Sequence, residues 1–143
     1  MIGFTEFLNE LFNKPVSYIE KNNDFVFNID DVEYTVVIDI DDEDESIIQV
    51  SFYIKDKTQG FDKTSISFSG GNEIKVFSTV LQIIKDYLKN DKSITGIAFT
   101  SDIKEPSRVK LYDRMVKSVA KPLGYNLEAS YNTSYSKIYI LRK

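Results

Sequence analysis

A mixed α+β fold, with antiparallel strands first and one parallel crossover in the middle, is what this sequence predicts. Three observations carry the prediction. Phe25 to Ile54 is dominated by β-branched and aromatic residues that alternate with polar ones, the period of half-buried strands. Ile74, Phe77, Val80, Leu81, Ile84 and Leu88 then fall at helical spacing, a broad apolar stripe that needs a sheet to face. Ile94 to Phe99 is a short, nearly continuous apolar run followed by a second helical pattern, the signature of a central strand under helices.

Taken in order, Thr5 is placed to cap a short helix with Phe4, Phe7, Leu8 and Leu11 on one face, and Pro15 ends it. Ser17 to Asp24 carries no clear pattern. Phe25 to Ile29 reads as a strand, Asp30-Asp31 as a two-residue turn, and Val32 to Ile40 as the return strand with Tyr34, Val36 and Ile38 on one face. Ser46 to Ile54 is a third strand, with Ile48, Val50, Phe52 and Ile54 aligned. After a polar loop, Thr64 to Ser69 alternates again, Gly70-Gly71-Asn72 breaks the run, and the long helix follows to about Asn90-Asp91.

The strand–helix–strand unit from Thr64 to Thr100 predicts a right-handed parallel crossover. Pro106 suits the first turn of the next helix, whose buried face is Val109, Tyr112, Met115, Val116, Val119 and Leu123; Pro122 and Gly124 stop it. Tyr125 to Tyr131 and Ser136 to Leu141 form a closing hairpin. The expected order is α-β-β-β-β-α-β-α-β-β in one domain over residues 1–143.

Composition narrows the chemistry. The 143 residues contain neither Cys nor His. That excludes disulfides, thiolate or imidazole metal sites, and hydrolases built on a His base. Carboxylates, Lys, Tyr, Ser and Thr remain, and no metal site is expected. A net charge of -4 argues against direct nucleic-acid binding, which needs a basic face. No run is long and apolar enough for a membrane helix, and the first residues lack a signal-peptide pattern, so a cytoplasmic location is expected. The acidic run from Asp39 to Glu45 reads as a solvated hairpin loop, with a cation site or polyanion mimic as the alternatives.

With these elements in place, the chain resembles the GNAT acyltransferase family. Ser69-Gly70-Gly71-Asn72-Glu73 stands where that family's pyrophosphate loop opens into a helix. Leu111-Tyr112, followed by Leu123-Gly124-Tyr125, looks like the family's helix-four pattern. The resemblance implies acyl-CoA as cofactor, with its pyrophosphate on Ser69, Gly70, Gly71 and Asn72. It also implies Tyr112 as the acid that protonates the departing thiolate. Arg108 is a further candidate for pairing with a phosphate. The loop departs from the family pattern in having Ser69 and adjacent glycines, and Glu73 would repel a pyrophosphate. Gly71 to Val80 and Glu105 to Arg114 also look like small proteins of tailed bacteriophages.

Two functions follow from the sequence. One is a GNAT-like domain with incomplete catalytic motifs, acting through a protein partner or as a virion or host-modulating component. Tyr125, Tyr131, Tyr135 and Tyr139 offer that reading either a contact surface or an outer core layer. The alternative is an acyl-CoA-dependent N-acyltransferase with Tyr112 as general acid.

Overall fold

The computed structural model of the chain describes residues 15–56, 61–62, 72–102 and 106–143. Its strands are β1 (Ile19–Lys21), β2 (Asp24–Ile29), β3 (Val32–Ile40), β4 (Ile47–Asp56), β5 (Phe61–Asp62), β6 (Gly96–Asp102), β7 (Asn126–Asn132) and β8 (Ser136–Arg142). Two described helices, α1 (Asn72–Asn90) and α2 (Pro106–Leu123), lie between β5 and β7. The expected first helix, Phe4 to Leu11, and the expected strand Thr64 to Ser69 lie outside the described residues.

One sheet runs β1-β2-β3-β4-β6-β8-β7, with β5 pairing the end of β4. Every pairing is antiparallel except β4 with β6. This is a mixed α+β architecture with a single parallel crossover, consistent with the GNAT-like arrangement that the sequence resembles.

Strand alternation builds the core directly. Ile38, Val50, Phe99 and Tyr139 lie side by side across four strands, and Ile48, Ile97 and Leu141 form the next row. All seven side chains are buried. A third row sets Phe25, Val36 and Phe52 together. Beside it Phe27 stacks on Tyr34 at 5.1 Å between ring centres, and Tyr34 on Phe52 at 5.8 Å. Both helices cover this one face. α1 contributes Val76, Phe77, Val80, Leu81, Ile83 and Ile84, and α2 contributes Met115, Val116, Val119 and Ala120. On the opposite face of the central strands, Val37 and Ser51 are half-buried and Tyr53 is exposed.

Turns follow from local chemistry. Asp30 takes a φ of 56° in the β2–β3 turn, a conformation Asp and Asn tolerate better than other residues with a Cβ. α2 ends in a Schellman motif: the Gly124 N–H donates to the Lys121 carbonyl at 2.9 Å and the Tyr125 N–H to that of Ala120 at 2.9 Å, with Gly124 at φ 76°. Pro122 lies inside the last turn of α2 rather than ending it, and Gly124 supplies the stop.

Ser17 to Asp24 resolves into a strap and a short edge strand. The Val16 N–H donates to the Thr79 hydroxyl at 2.9 Å, and the Tyr18 hydroxyl donates to the Asp86 carboxylate. The strap thereby covers the polar stripe of α1 and buries Thr79. Burial, and secondarily the Asp86 carboxylate, pushes the Tyr18 hydroxyl up to about 12.

The sequence-based crossover needs one correction. β6 takes its parallel partner from Ile47–Ser51, the third expected strand, and not from Thr64 to Ser69. Its other edge is held by β8, so both edges of Gly96–Thr100 are occupied. Packing explains the choice, because Ile48 and Val50 continue the buried rows through Ile97 and Phe99.

Candidate functional site

The parallel pair is also the point where the sheet changes direction. From β4 the chain order runs to β3, β2 and β1 on one side; from β6 it runs to β8 and β7 on the other. In open α/β sheets, ligands bind outside the carboxyl ends of the strands at such a switch point.

At this switch point β4 and β6 pair from Ile47↔Gly96 to Ser51↔Thr100. β4 then continues to Asp56 along β3, and β6 continues to Asp102 along β8. Among the described residues, β5 meets β4 at Lys55 and Asp56. Phe52 turns its ring into the core, while Tyr53 is 46% exposed on the opposite face.

α1 lies in the crossover between β4 and β6. Its 19 residues span roughly 28 Å at ~1.5 Å each. The ten residues of β4 span about 33 Å. The C-terminal end of α1 lies near the starts of β4 and β6, where the Thr95 and Gly96 N–H groups donate to the Ser46 carbonyl at 2.8 and 3.1 Å. Its N-terminus at Asn72 consequently lies toward the carboxyl ends of those strands. A helix N-terminus carries unpaired N–H groups and about half a positive charge, which favours an anion.

The sequence-predicted site residues distribute around this geometry. Ser69, Gly70 and Gly71 lie outside the described residues. Asn72 opens α1. Arg108 is in the first turn of α2 and Tyr112 in the second, and α2 starts four residues after β6 ends. Asn72, Arg108 and Tyr112 are thus placed by their backbones at the carboxyl end of the sheet; their side chains lie outside those described. What sequence reasoning missed is that β4, the third expected strand, is the parallel partner of β6. Two candidate strands before α1 alternate alike, so the sequence carried no signal to choose between them.

Other candidates resolve structurally. The Asp41 carboxylate accepts the Glu43 and Asp44 N–H groups and the Gln49 amide, and Asp44 accepts the Ser46 N–H and hydroxyl. The acidic run is a self-capped turn, and the Ser46 hydrogen bonds hold the Asp44 carboxyl below the usual range. The closing tyrosines divide: Tyr125 and Tyr139 are buried, whereas Tyr131 and Tyr135 are exposed. Among the described residues no group of three or more acidic side chains could hold a metal ion, and no helix is long and apolar enough to cross a membrane.

No protein-family model and no curated protein matches this chain. Solved structures are similar to it. The chain aligns over 84% of its length with 65% of the aminoglycoside acetyltransferase AAC(6')-Ib in complex with coenzyme A, at 11% identity and a TM-score of 0.47. It aligns over 95% with 72% of a spermidine N-acetyltransferase from Vibrio cholerae, at 18% identity and a TM-score of 0.40. A GNAT-family acetyltransferase from Streptococcus pneumoniae gives 86% and 67% coverage, 14% identity and a TM-score of 0.37. The chain spans less than two thirds of the length of the aminoglycoside enzyme. These likenesses do not link it to bacteriophage proteins, and the fold assignment above rests on strand order rather than on superposition.

Proposed function

We propose that this chain is an acyl-CoA-dependent N-acyltransferase, with the acyl donor held between the carboxyl ends of β4 and β6. The supporting observation is the switch point: β4 and β6 pair in parallel from Ile47↔Gly96 to Ser51↔Thr100, and α1 and α2 both begin toward their carboxyl ends.

The reading assigns each part a task. Gly70, Gly71 and Asn72 hold the pyrophosphate on backbone N–H groups, and Ser69 and Arg108 add polar contacts. The backbone of the fourth expected strand, Thr64 to Ser69, supplies an N–H to the thioester carbonyl, where negative charge grows as an amine attacks. A carboxylate such as Asp102 or Glu105, or water, takes the proton from the attacking nitrogen. The carbon–nitrogen bond forms, the carbon–sulfur bond breaks, and Tyr112 protonates the departing thiolate. No step requires imidazole or a thiol, so a chain without His or Cys is sufficient.

Calorimetry with coenzyme A and acetyl-CoA, on the full chain beside Gly71→Glu, tests the reading. Micromolar binding that the variant abolishes is the expected result, after which Tyr112→Phe should slow transfer to amines without abolishing binding. Absence of heat and of a thermal shift at millimolar ligand would overturn the proposal. The competing reading, a protein-contact module, draws on the exposed Leu127, Tyr131 and Tyr135 of the β7–β8 hairpin, where β7 is an open sheet edge.

A further inference from the structure

The two ends of the sheet differ. β1 closes one side with three residues, of which Glu20 and Lys21 are charged. Short length and charge are how natural sheets keep an edge from pairing with other chains. β7 closes the other side with seven residues, all exposed, and Glu128 is the one charge among them. Its carboxylate accepts from the Arg142 Nε at 3.0 Å, so this edge presents no net charge. Among the described residues, β8 is the strand that pairs with β7.

The ladder fixes where the outer backbone groups point. The Thr133 N–H donates to the Ser136 carbonyl at 2.7 Å, so these two residues form a bonded pair at the hairpin end. Bonded and unbonded pairs alternate along an antiparallel ladder. Asn132↔Lys137 and Ser130↔Tyr139 are therefore unbonded pairs, and Asn132 and Ser130 turn their N–H and C=O groups outward. Ser130 lies opposite the buried Tyr139 and shares the helix-covered face, while Ala129 and Tyr131 flank it on the other face. A second β7, laid antiparallel with a two-fold axis at Ser130, meets this edge in register. The two Ser130 residues then exchange N–H···O=C bonds, each Tyr131 packs over the small Ala129 of the other copy, and Asn132 faces Glu128. No like charges stand opposite each other. Continued to its end, the same register brings the hairpin tip of one copy beside Tyr125 to Leu127 of the other. A cavity of about 420 Å³ opens there between the end of α2 and the start of β7, walled by Ala120, Gly124 and Leu127. The tip carries Tyr135, which is 72% exposed. The Thr133 hydroxyl accepts the Tyr135 and Ser136 N–H groups at 3.3 and 3.0 Å and so holds the tip in shape.

We propose that β7 pairs with β7 of a second copy of this chain, about a two-fold axis at Ser130, and that each Tyr135 enters the cavity beside Leu127 of the other copy. A two-fold contact brings the same patch of both copies together and must be self-complementary. The neutral edge, the Tyr131–Ala129 fit and the tip-to-cavity fit all follow from one axis. Area sets the strength. An aromatic ring buries ~150–250 Å² when fully covered; with Tyr131 50% and Tyr135 72% exposed, the two offer roughly 200–300 Å² per copy. A standard interface buries about 800 Å² per partner, so the strand and Leu127 supply the remainder and the dimer sits at the weak end, with a Kd of ~10–100 μM. The contact uses none of the residues assigned to acyl transfer, so it stands apart from that reading.

Sedimentation of the full chain over a concentration series that brackets this Kd tests the proposal, beside Ser130→Lys, Ser130→Glu and Tyr135→Ser. A reversible monomer–dimer equilibrium is expected. Ser130→Lys and Ser130→Glu should each weaken it roughly fivefold, because like charges then meet across the axis. An equimolar mixture of those two variants should recover the dimer, a rescue that misfolded chains cannot give. Tyr135→Ser should cost about tenfold, as loss of a buried aromatic anchor does. Far-UV circular dichroism of the dilute monomer should be the same in all three, since the altered side chains are exposed. A monomer at every concentration would overturn the proposal and leave the edge to a different chain. An assembly larger than a dimer, a dimer untouched by both Ser130 variants, or a mixture that stays monomeric while the unaltered chain dimerises would each overturn it as well. Tyr135→Ser without effect would overturn the tip-to-cavity contact.

Discussion

Raising the pH above 10 should destabilise this protein, with two tyrosines in its core carrying a large part of the loss. Tyr34 and Tyr139 are each 1% exposed. Burial, with Asp30 nearby, pushes the Tyr34 hydroxyl from 10.0 up to about 12; burial, with Asp113 nearby, does the same for Tyr139. The unfolded chain releases these protons near pH 10 and the folded chain holds them to about 12. Between those values the native state binds more protons, so stability falls as pH rises. The contribution is complete below pH 10 and gone above 12.

Two units at ~1.4 kcal/mol each give about 3 kcal/mol per ring, and ~5 kcal/mol for the pair. Typical domains hold only ~5–15 kcal/mol in total, so the loss is a large share of the whole. Urea unfolding followed by far-UV circular dichroism at pH 9, 10, 11 and 12 measures it, with tyrosinate absorbance recorded in parallel. Tyr139→Phe should flatten the decline by about 3 kcal/mol, the share of its own proton, while the raised Tyr34 and Tyr18 hydroxyls leave the rest. Equal midpoints at pH 9 and 11.5, or a decline identical in Tyr139→Phe, would refute the assignment of these rings to the core.

Two further substitutions probe the frame of the sheet. Phe99→Ala removes the fully buried ring at the centre of the Ile38–Val50–Phe99–Tyr139 row and should cost ~3–5 kcal/mol in chemical denaturation. Gly124→Ala places a Cβ in open space but at φ 76°, so its cost is backbone strain alone; a loss of about 1 kcal/mol is expected in the same assay.

Much of the fold was legible because its signals are local. Phe25 to Ile40 reads as a hairpin from alternation and the Asp30-Asp31 turn alone, and the register pairs Ile29 with Val32. The long helix and the Pro106 start were equally visible. β1 was not, since Ile19-Glu20-Lys21 is an exposed edge strand without an apolar row to mark it. The partner of β6 was hidden for a different reason. Ser46 to Ile54 and Thr64 to Ser69 alternate in the same way, and only the three-dimensional rows through Ile97 and Phe99 choose between them.

The short parallel pairing of β4 with β6 has an energetic consequence for the rest of the sheet. A backbone N–H or carbonyl left unpaired and shielded from water costs ~1–3 kcal/mol, so interior strands ordinarily pair along their full length. β4 pairs along nearly all of its length on the β3 side and on only half of it with β6. Closing the sheet further would require Phe52 to meet Ser101 and Tyr53 to meet Asp102, a continuation of the existing register by two residues. β6 extends far enough to do so, and among the described residues β8 is its partner there. This end of the pair lies toward the N-termini of α1 and α2. In the proposed function the acyl donor sits at that end and accepts from the N–H groups of a helix N-terminus, so the coenzyme A titration tests the switch point as well as the enzyme.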